Sequence, residues 1–295
     1  MWAKLSAMGY STSFFGSGGN GFSGGNEGYN AYFFTTGTGG TPEPTYDFNV
    51  FLVAGQSNSS GRALLADGPI FLQDGIVDGV SNYDYQNTVY DLSQGVLTGR
   101  DIAGNNKFAF NHVAMSLVSN EINDVVAVTV AVGNTILYAN NFGNGSYNAD
   151  YESIPVGTRR CLQELELKYK AFENWAQSKG LTFKVQGLIW HQGESDAVSV
   201  PQAITDYGAN WAALVAKVRS FTGDAQLPIF YGTVPIASAD YNLTIRNAML
   251  NYAAGDANAY CRDNNDLTLL DAYHFDASSN VVFGEWVYNT WLAQN

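Results

Sequence analysis

The sequence predicts an α/β fold in which a parallel sheet lies between two layers of helices. From residue 46 onward, short apolar runs rich in β-branched residues alternate with longer stretches whose apolar residues recur at helical spacing. The short runs are apolar on both faces, which is typical of strands covered by helices on both sides. A length of 295 residues with 46% hydrophobic residues is sufficient for one large domain with a substantial core.

Five apolar runs are candidate strands, and four amphipathic stretches are candidate helices. The predicted strands are Phe48–Ala54, Val125–Val132, Phe183–Trp190, Pro228–Val234 and Leu267–Asp271. The predicted helices are Thr158–Lys179, Ile204–Phe221, Leu243–Ala254 and Val281–Leu292. Residues 64–124 are rich in Asp, Asn and Gly. We interpret them as a long loop with local helix, lying over the strand ends where α/β proteins bind ligands.

The composition changes near residue 46. Residues 1–45 contain 11 of the 31 glycines and 9 aromatic residues, but only three charged residues. Aromatic side chains on a glycine-rich chain suit adhesion to another surface or to copies of the same chain, whereas composition alone equally allows a disordered leader. We interpret residues 1–45 as an anchoring or oligomerisation arm and residues 46–295 as a separate domain. Homo-oligomerisation is left open.

The net charge and the lengths of the apolar runs indicate which kinds of binding partner to expect. A formal net charge of −13 repels phosphate backbones and anionic membrane surfaces, so neither nucleic acid nor a membrane is an expected partner. No apolar run approaches the roughly 20 residues that a membrane span requires, and the first residues lack the apolar core of a secretory signal. Cys161 and Cys261 are too few for a disulfide framework, and we expect free thiols, with a single bridge between them left open.

Three short segments that follow predicted strands carry reactive side chains. They are Gly55-Gln56-Ser57-Asn58, Trp190 to Asp196, and Asp271-Ala272-Tyr273-His274-Phe275. A serine hydroxyl becomes an effective nucleophile when an imidazole accepts its proton and a carboxylate orients the imidazole. Ser57, His274 and Asp271 supply these three groups. Taken singly, Gly55-Gln56-Ser57-Asn58 is better explained as a turn or helix cap, and Asp271-x-x-His274 as a surface turn.

A metal site at the carboxyl ends of the same predicted strands is the alternative. The side chains that it would use are His191, Glu194, Asp196, Asp271 and His274. Histidine and carboxylate ligands can hold zinc or manganese. Because no His-x-x-x-His motif or cysteine pair supports this alternative, we favour a serine mechanism without metal or cofactor.

Together with Gly61-Arg62, the three segments resemble the conserved blocks of the SGNH/GDSL hydrolase superfamily. Within it they are most similar to the sialate O-acetylesterase and carbohydrate esterase family 6 (acetylxylan esterase) group. The resemblance covers residues 48–294. It implies a five-stranded flavodoxin-like sheet in a three-layer α/β/α domain, no metal, and removal of acetyl groups from sugar hydroxyls through an acyl-serine intermediate.

The resemblance also implies a role for each matching residue. Ser57 corresponds to the nucleophile, His274 to the general base and then acid, and Asp271 to the orienting carboxylate. The oxyanion donors correspond to the backbone N–H of Ser57, the backbone N–H of Gly133 or Asn134, and the side chain of Gln192. We call the turn that carries Ser57, between Gly55 and Gly61, the serine turn. The residues expected to support this turn or to contact substrate are Gln56, Asn58, Arg62, His191, Glu194 and Asp196. We expect Arg62 and Glu194 to pair with each other.

The sequence departs from the group's pattern at three positions. Ser59 stands where methionine is usual, Asn134 where the second glycine of a Gly-Gly pair is usual, and Ala272 where glycine is usual. None of these changes removes a reacting group. A residue with a β-carbon does not readily adopt every backbone conformation that glycine allows, so the donor is Gly133 if Asn134 cannot adopt the one required.

The sequence therefore predicts a carbohydrate O-acetylesterase that acts on an acetylated polysaccharide. The glycine- and aromatic-rich arm predicts a place in a larger particle, such as a phage virion or tail, with other virion or assembly proteins bound through residues 1–45. The expected location is virion or extracellular. Two alternatives remain open: a free microbial acetylxylan esterase, and a catalytically silent glycan-binding or structural virion module.

Overall fold

The computed structural model describes residues 46–67, 80–83, 107–122 and 124–295. The predicted arm, residues 1–45, lies outside the described residues, as does most of the predicted loop within residues 64–124. The division of the chain at residue 46 stays a prediction.

Eight strands form two sheets within the described residues. They are β1 Phe48–Gly55, β2 Ala63–Leu64, β3 Val80–Tyr83, β4 Lys107–Phe108, β5 Val125–Ala131, β6 Phe183–His191, β7 Ile229–Gly232 and β8 Ala259–Arg262. The main sheet has the order β3-β5-β1-β6-β7-β8 and is parallel throughout. Strands β2 and β4 pair separately and antiparallel.

The five strands β5-β1-β6-β7-β8 have the order 2-1-3-4-5 of a flavodoxin-like fold, and the short β3 extends the sheet at its β5 edge. This confirms the predicted three-layer α/β fold. In this order the chain adds strands first on one side of β1 and then on the other. The switch point therefore lies between β1 and β6, where open α/β sheets bind ligands at the carboxyl ends of their strands.

Seven α-helices accompany the strands in the described part of the chain. They are α1 Ser57–Ser60, α2 Phe110–Val118, α3 Cys161–Ser178, α4 Glu194–Val198, α5 Pro201–Thr222, α6 Leu243–Gly255 and α7 Ala277–Leu292. The four helices predicted from periodicity correspond to α3, α5, α6 and α7, and the local helix expected within residues 64–124 is α2. None of the described helices has the length and apolarity to cross a membrane.

Side chains of β1 alternate between two apolar cores, as the strand geometry requires. Val50 and Leu52 pack in a core formed with α3, α5 and α6. Phe51 and Val53 pack on the opposite face with α2 and α7. The strands are buried on both faces because each face is covered by helices, which explains their continuous apolar character in the sequence.

The last strand differs from the prediction. Leu267–Asp271 is not a strand of the sheet; the fifth strand of the flavodoxin-like set is Ala259–Arg262, which pairs with β7. Leu267 is buried and Leu269 is partly buried against the core below α7, and Leu269 forms an isolated antiparallel bridge with Phe275. Apolar character alone cannot distinguish a strand from a loop whose leucines pack on the core.

Candidate active site

Strand β1 ends at Gly55, and the chain turns directly into α1. Gly55 has a φ of +122°, and a Cβ there would lie 2.2 Å from the carbonyl oxygen of His191, so the turn requires glycine. Ser57 is the first residue of α1 and is almost fully buried. The carbonyl oxygen of Gln56, whose side chain is also buried, accepts two backbone N–H groups of α1. Ser57 thus lies beside the switch point of the sheet.

The side chain of Ser59 binds the turn to β6, and the side chain of Asn111 binds it to α2. The Oγ atom of Ser59 donates to the carbonyl oxygen of His191 at 3.2 Å and accepts its N–H at 3.0 Å. Asn111 donates from Nδ2 to the carbonyl oxygen of Ser59 at 3.0 Å. Ser59, at a position where the group usually has methionine, therefore makes a pair of hydrogen bonds to the neighbouring strand.

The loop after β5 packs against the serine turn. A Cβ built on Gly133 would lie 3.6 Å from Cβ of Ser57 and 2.9 Å from Nη2 of Arg62. Asn134 has a φ of +58°, a conformation that asparagine tolerates, and its carbonyl oxygen accepts the N–H of Asn144 at 2.7 Å. The β-carbon at 134 is therefore accommodated. Within the described part of the chain, the backbone N–H groups of Ser57, Gly133 and Asn134 have no hydrogen-bond partner.

Asp271 and His274 are joined within one tight loop. Nδ1 of His274 lies 2.8 Å from Oδ2 of Asp271, and Oδ1 of Asp271 accepts the backbone N–H groups of Tyr273 and His274, both at 2.8 Å. The bridge between Leu269 and Phe275 closes the loop at its base. The predicted contact between His274 and Asp271 is present.

Asn58 links this loop to the serine turn. Its Oδ1 accepts the backbone N–H of Phe275 at 3.0 Å. Its Nδ2 donates to the carbonyl oxygen of Tyr273 at 3.2 Å and to Oε1 of Glu194 at 2.8 Å. The residue after the candidate nucleophile thus holds the chain on both sides of His274. Among the described residues, no hydrogen bond joins the hydroxyl of Ser57 to the imidazole of His274 itself.

The predicted pairing of Arg62 with Glu194 is wrong. Arg62 donates from Nη1 to Oγ of Ser60 at 3.1 Å and to the carbonyl oxygen of Gly61 at 2.7 Å. Burial lowers the pKa of Arg62, and the charge of Asp271 opposes that shift. Arg62 is half-buried on the side of the turn that faces Asp271, whereas Glu194 is held by Asn58. The guanidinium of Arg62 and the carboxylate of Glu194 therefore bind different residues of the serine turn.

His191 is fully buried. Its ring packs against Phe275 with 5.0 Å between centroids, and Nδ1 lies 3.5 Å from Oε1 of Glu194. Burial lowers the pKa of His191, and the nearby Glu194 opposes that shift. His191 is therefore part of the packing beneath the loop that carries His274.

The side chain of Gln192 does not have the predicted role of an oxyanion donor in this arrangement. Its Nε2 donates to the carbonyl oxygen of Thr135 at 2.9 Å and to Oδ2 of Asp196 at 2.5 Å, which uses both of its hydrogens. Asp196 also accepts the N–H groups of Leu137 and Tyr138. Burial raises the pKa of Asp196 to about 7, although these hydrogen bonds act to lower it. Gln192 and Asp196 therefore hold the loop after β5.

Two buried tyrosines that the sequence analysis did not single out complete this support. The hydroxyl of Tyr147 lies 2.9 Å from the carbonyl oxygen of Gly55 and 2.5 Å from that of Val130. The hydroxyl of Tyr207 donates to the carbonyl oxygen of Gln192 at 3.0 Å. Neither tyrosine lies in a recognisable motif, so only the fold reveals that they fix the ends of β1, β5 and β6.

The residues considered for a metal site are occupied with other contacts. Asp271 and His274 bind each other, Asp196 accepts three N–H donors, and His191 and Glu194 are buried. In the described ranges, no group of three or more His, Cys, Asp or Glu side chains is arranged to hold a metal ion. Cys161 and Cys261 are free thiols, the first buried and the second partly buried.

A family profile described as carbohydrate esterase, sialic acid-specific acetylesterase matches residues 47–293. The chain belongs to this family. The match confirms the predicted relationship to SGNH-type carbohydrate esterases and the assignment of the chain as a serine carbohydrate esterase with acetylesterase function. A comparison with curated protein sequences found no match.

Solved structures share the fold of this acetylesterase family member. A protein from Arabidopsis thaliana has 18% sequence identity and a TM-score of 0.60, covering 83% of this chain and 98% of its own. A carbohydrate acetylesterase from Xanthomonas citri has 16% identity and a TM-score of 0.51, covering 81% of this chain and 55% of its own. NanS has 14% identity and a TM-score of 0.52, covering 85% of this chain and 100% of its own. At these identities the likeness establishes the fold alone.

Proposed function

We propose that this acetylesterase works through a Ser57–His274–Asp271 triad. One observation carries the proposal: the hydrogen-bonded pair of His274 and Asp271 is fastened by Asn58 to the turn that carries Ser57. Hydrogen bonds between catalytic groups are often long or misaligned in the absence of substrate, so an unformed contact between Ser57 and His274 is compatible with the mechanism.

The chemistry follows from the positions of the donors and acceptors. The Oγ of Ser57 attacks the acetyl carbonyl carbon while Nε2 of His274 takes its proton, and the N–H groups of Ser57 and Gly133 stabilise the oxyanion. Collapse of the tetrahedral intermediate breaks the ester bond, and His274 returns the proton to the departing sugar oxygen. Water, deprotonated by His274, then releases acetate from Ser57 and restores the free enzyme.

The substrate that we propose is an acetylated polysaccharide. The ring of Tyr273, the residue before His274, is 43% exposed, although its backbone N–H and carbonyl are both hydrogen-bonded. An exposed aromatic ring on a fixed backbone offers a flat apolar face, and such a face suits the C–H surface of a sugar. This placement supports recognition of a glycan beside the reacting ester.

The test of the triad measures acetate release from p-nitrophenyl acetate and from acetylated glycan. Ser57→Ala should lower kcat by roughly 10³-fold or more. Ser60→Ala is the matched control, because this serine of the same helix α1 donates to the carbonyl oxygen of Ser57 but is not the nucleophile; it should retain most of the activity. Unchanged turnover in Ser57→Ala contradicts the proposed nucleophile, and no turnover by the intact protein favours the glycan-binding module.

We also propose that residues 1–45 attach the esterase to a virion, phage tail or other extracellular particle. The support is compositional: glycines and aromatic residues with few charges. Light scattering of the full chain and of residues 46–295 tests it. We expect equal hydrolysis of p-nitrophenyl acetate by both and association only of the full chain, whereas a monomeric full chain at micromolar concentration would oppose this role and favour a free esterase.

A further inference from the structure

Asn58 is buried, and every group around its amide specifies the same orientation. The N–H of Phe275 can only donate, so it faces Oδ1. The carbonyl oxygen of Tyr273 and the carboxylate of Glu194 accept, so they face Nδ2. Three neighbours, two from the loop of His274 and one from the start of α4, therefore define one position for this side chain.

The two backbone groups bound by Asn58 belong to the residues immediately before and after His274. A shift of His274 away from the serine turn must lengthen one of these two hydrogen bonds. The side chain of Phe275 is fully buried against His191, which resists the same movement. The distance between the turn and the imidazole therefore depends on the amide of Asn58, with the packing of Phe275 as a second restraint.

Glu194 holds that amide in place from the other side. It is buried, its Oε1 accepts from Asn58 at 2.8 Å, and it lies beside His191. Its contact with Asn58 is independent of the loop that carries His274. Glu194 thus anchors the linking residue to α4, an element that follows β6.

We propose that Asn58 is a positioning residue that sets the separation between Ser57 and His274, with Glu194 as its anchor. The inference rests on the proposed triad. Displacement of a catalytic group by about 1 Å can reduce turnover about 100-fold. Asn58 therefore acts on kcat through His274, without contact with the substrate.

The test compares two buried asparagines, Asn58 on the serine turn and Asn111 on α2, which binds that turn through the carbonyl oxygen of Ser59. Asn58→Asp preserves shape and the acceptor for Phe275, but it removes both donated hydrogen bonds and places a carboxylate against Glu194. Asn111→Asp is the matched control, since Asn111 also bridges two backbone groups, Ser59 and His112, without contact to the loop of His274. With p-nitrophenyl acetate, we expect kcat to fall about 100-fold in the first variant, with KM changed less than threefold, and to fall less than threefold in the second.

A double variant separates positioning from a general loss of stability. In Asn58→Asp/Glu194→Gln, the glutamine amide can donate to the new carboxylate, so kcat should recover at least fivefold over Asn58→Asp alone. Thermal unfolding is measured for every variant. If Asn58→Asp does not fold, the uncharged Asn58→Ser replaces it with the same expected loss of kcat.

Three results would overturn the positioning role: wild-type kcat in a folded Asn58 variant, an equal loss in Asn111→Asp, or no recovery in the double variant. These results are distinguishable from failure of the triad. If Ser57→Ala retains full turnover, the proposed function fails; if Ser57→Ala is inactive while Asn58→Asp is fully active, only the positioning role fails.

Discussion

Nδ1 of His274 lies 2.8 Å from Oδ2 of Asp271 in a loop whose own N–H groups hold the other oxygen of that carboxylate. Burial raises the pKa of Asp271, but the hydrogen bonds from the His274 side chain and from the N–H groups of Tyr273 and His274 outweigh it and lower the pKa overall. Asp271 is thus kept ionised, and the proton on Nδ1 leaves Nε2 of His274 as the basic nitrogen.

Asp271→Asn tests this arrangement. An amide in place of the carboxylate no longer selects the tautomer with the proton on Nδ1, so kcat should fall by roughly 10²- to 10⁴-fold. The measurement is the initial rate with p-nitrophenyl acetate. Asp276→Asn is the control, because Asp276 lies in the same segment but caps α7 through the N–H of Ser279; kcat should be almost unchanged. Equal losses in both variants would contradict the orienting role of Asp271.

Gly133→Ala tests the space beside the candidate nucleophile. The new methyl group would contact Ser57 and press on the Nη2 end of Arg62, a flexible group that can move. We expect kcat/KM to fall between roughly 10- and 100-fold while the free energy of unfolding changes by at most about 1 kcal/mol. In the control Gly255→Ala, nothing lies within 4 Å of the new methyl group. If Gly133→Ala had the kcat/KM of the wild type, Gly133 would have no role in the active site.

Tyr273→Ala tests recognition of a glycan. The backbone contacts of Tyr273 persist in this variant, so kcat with p-nitrophenyl acetate should stay within about twofold, whereas KM for an acetylated glycan should rise roughly 5- to 10-fold. Tyr273→Phe should behave as the wild type. Tyr46→Ala provides a control, since Tyr46 is an exposed aromatic residue just before β1, at the amino ends of the strands and away from the site. A glycan KM unaffected by Tyr273→Ala would exclude a role in substrate binding.

His112 makes stability depend on pH. Burial lowers its pKa to about 4, against about 6.5 in an unfolded chain, while the N–H of Ala109 donates to its Nδ1. Between these pH values the unfolded chain binds more protons, so the free energy of unfolding should fall as the pH falls from 6.5 to 4, by at most about 3 kcal/mol. His112→Asn removes this titration. Urea unfolding at several pH values should show a flatter curve for the variant; parallel curves would refute the assignment.

Much of this site could be predicted because its chemistry lies in short segments at strand ends. Ser57, Asp271 and His274 each follow an apolar run, and the Asp-x-x-His spacing suffices for contact within one loop, so the pair needs no distant partner. The expected strand at Leu267–Asp271 was wrong because leucines that pack beneath α7 have the same apolar pattern as a strand residue. The hydrogen bonds of Gln192 could not be predicted, because its acceptors, Thr135 and Asp196, come together only in the folded chain.

By itself the sequence predicted the class of fold, most of the strands and helices and the candidate reactive groups, because periodicity and local motifs depend on neighbours along the chain. Tertiary structure alone decided which partner each polar group has. Glu194 binds Asn58 instead of Arg62, and Asn58 reaches a loop 215 residues away, at Tyr273. Such contacts are set by the register and order of the parallel strands, which bring distant segments to one edge of the sheet and have no signature in local sequence.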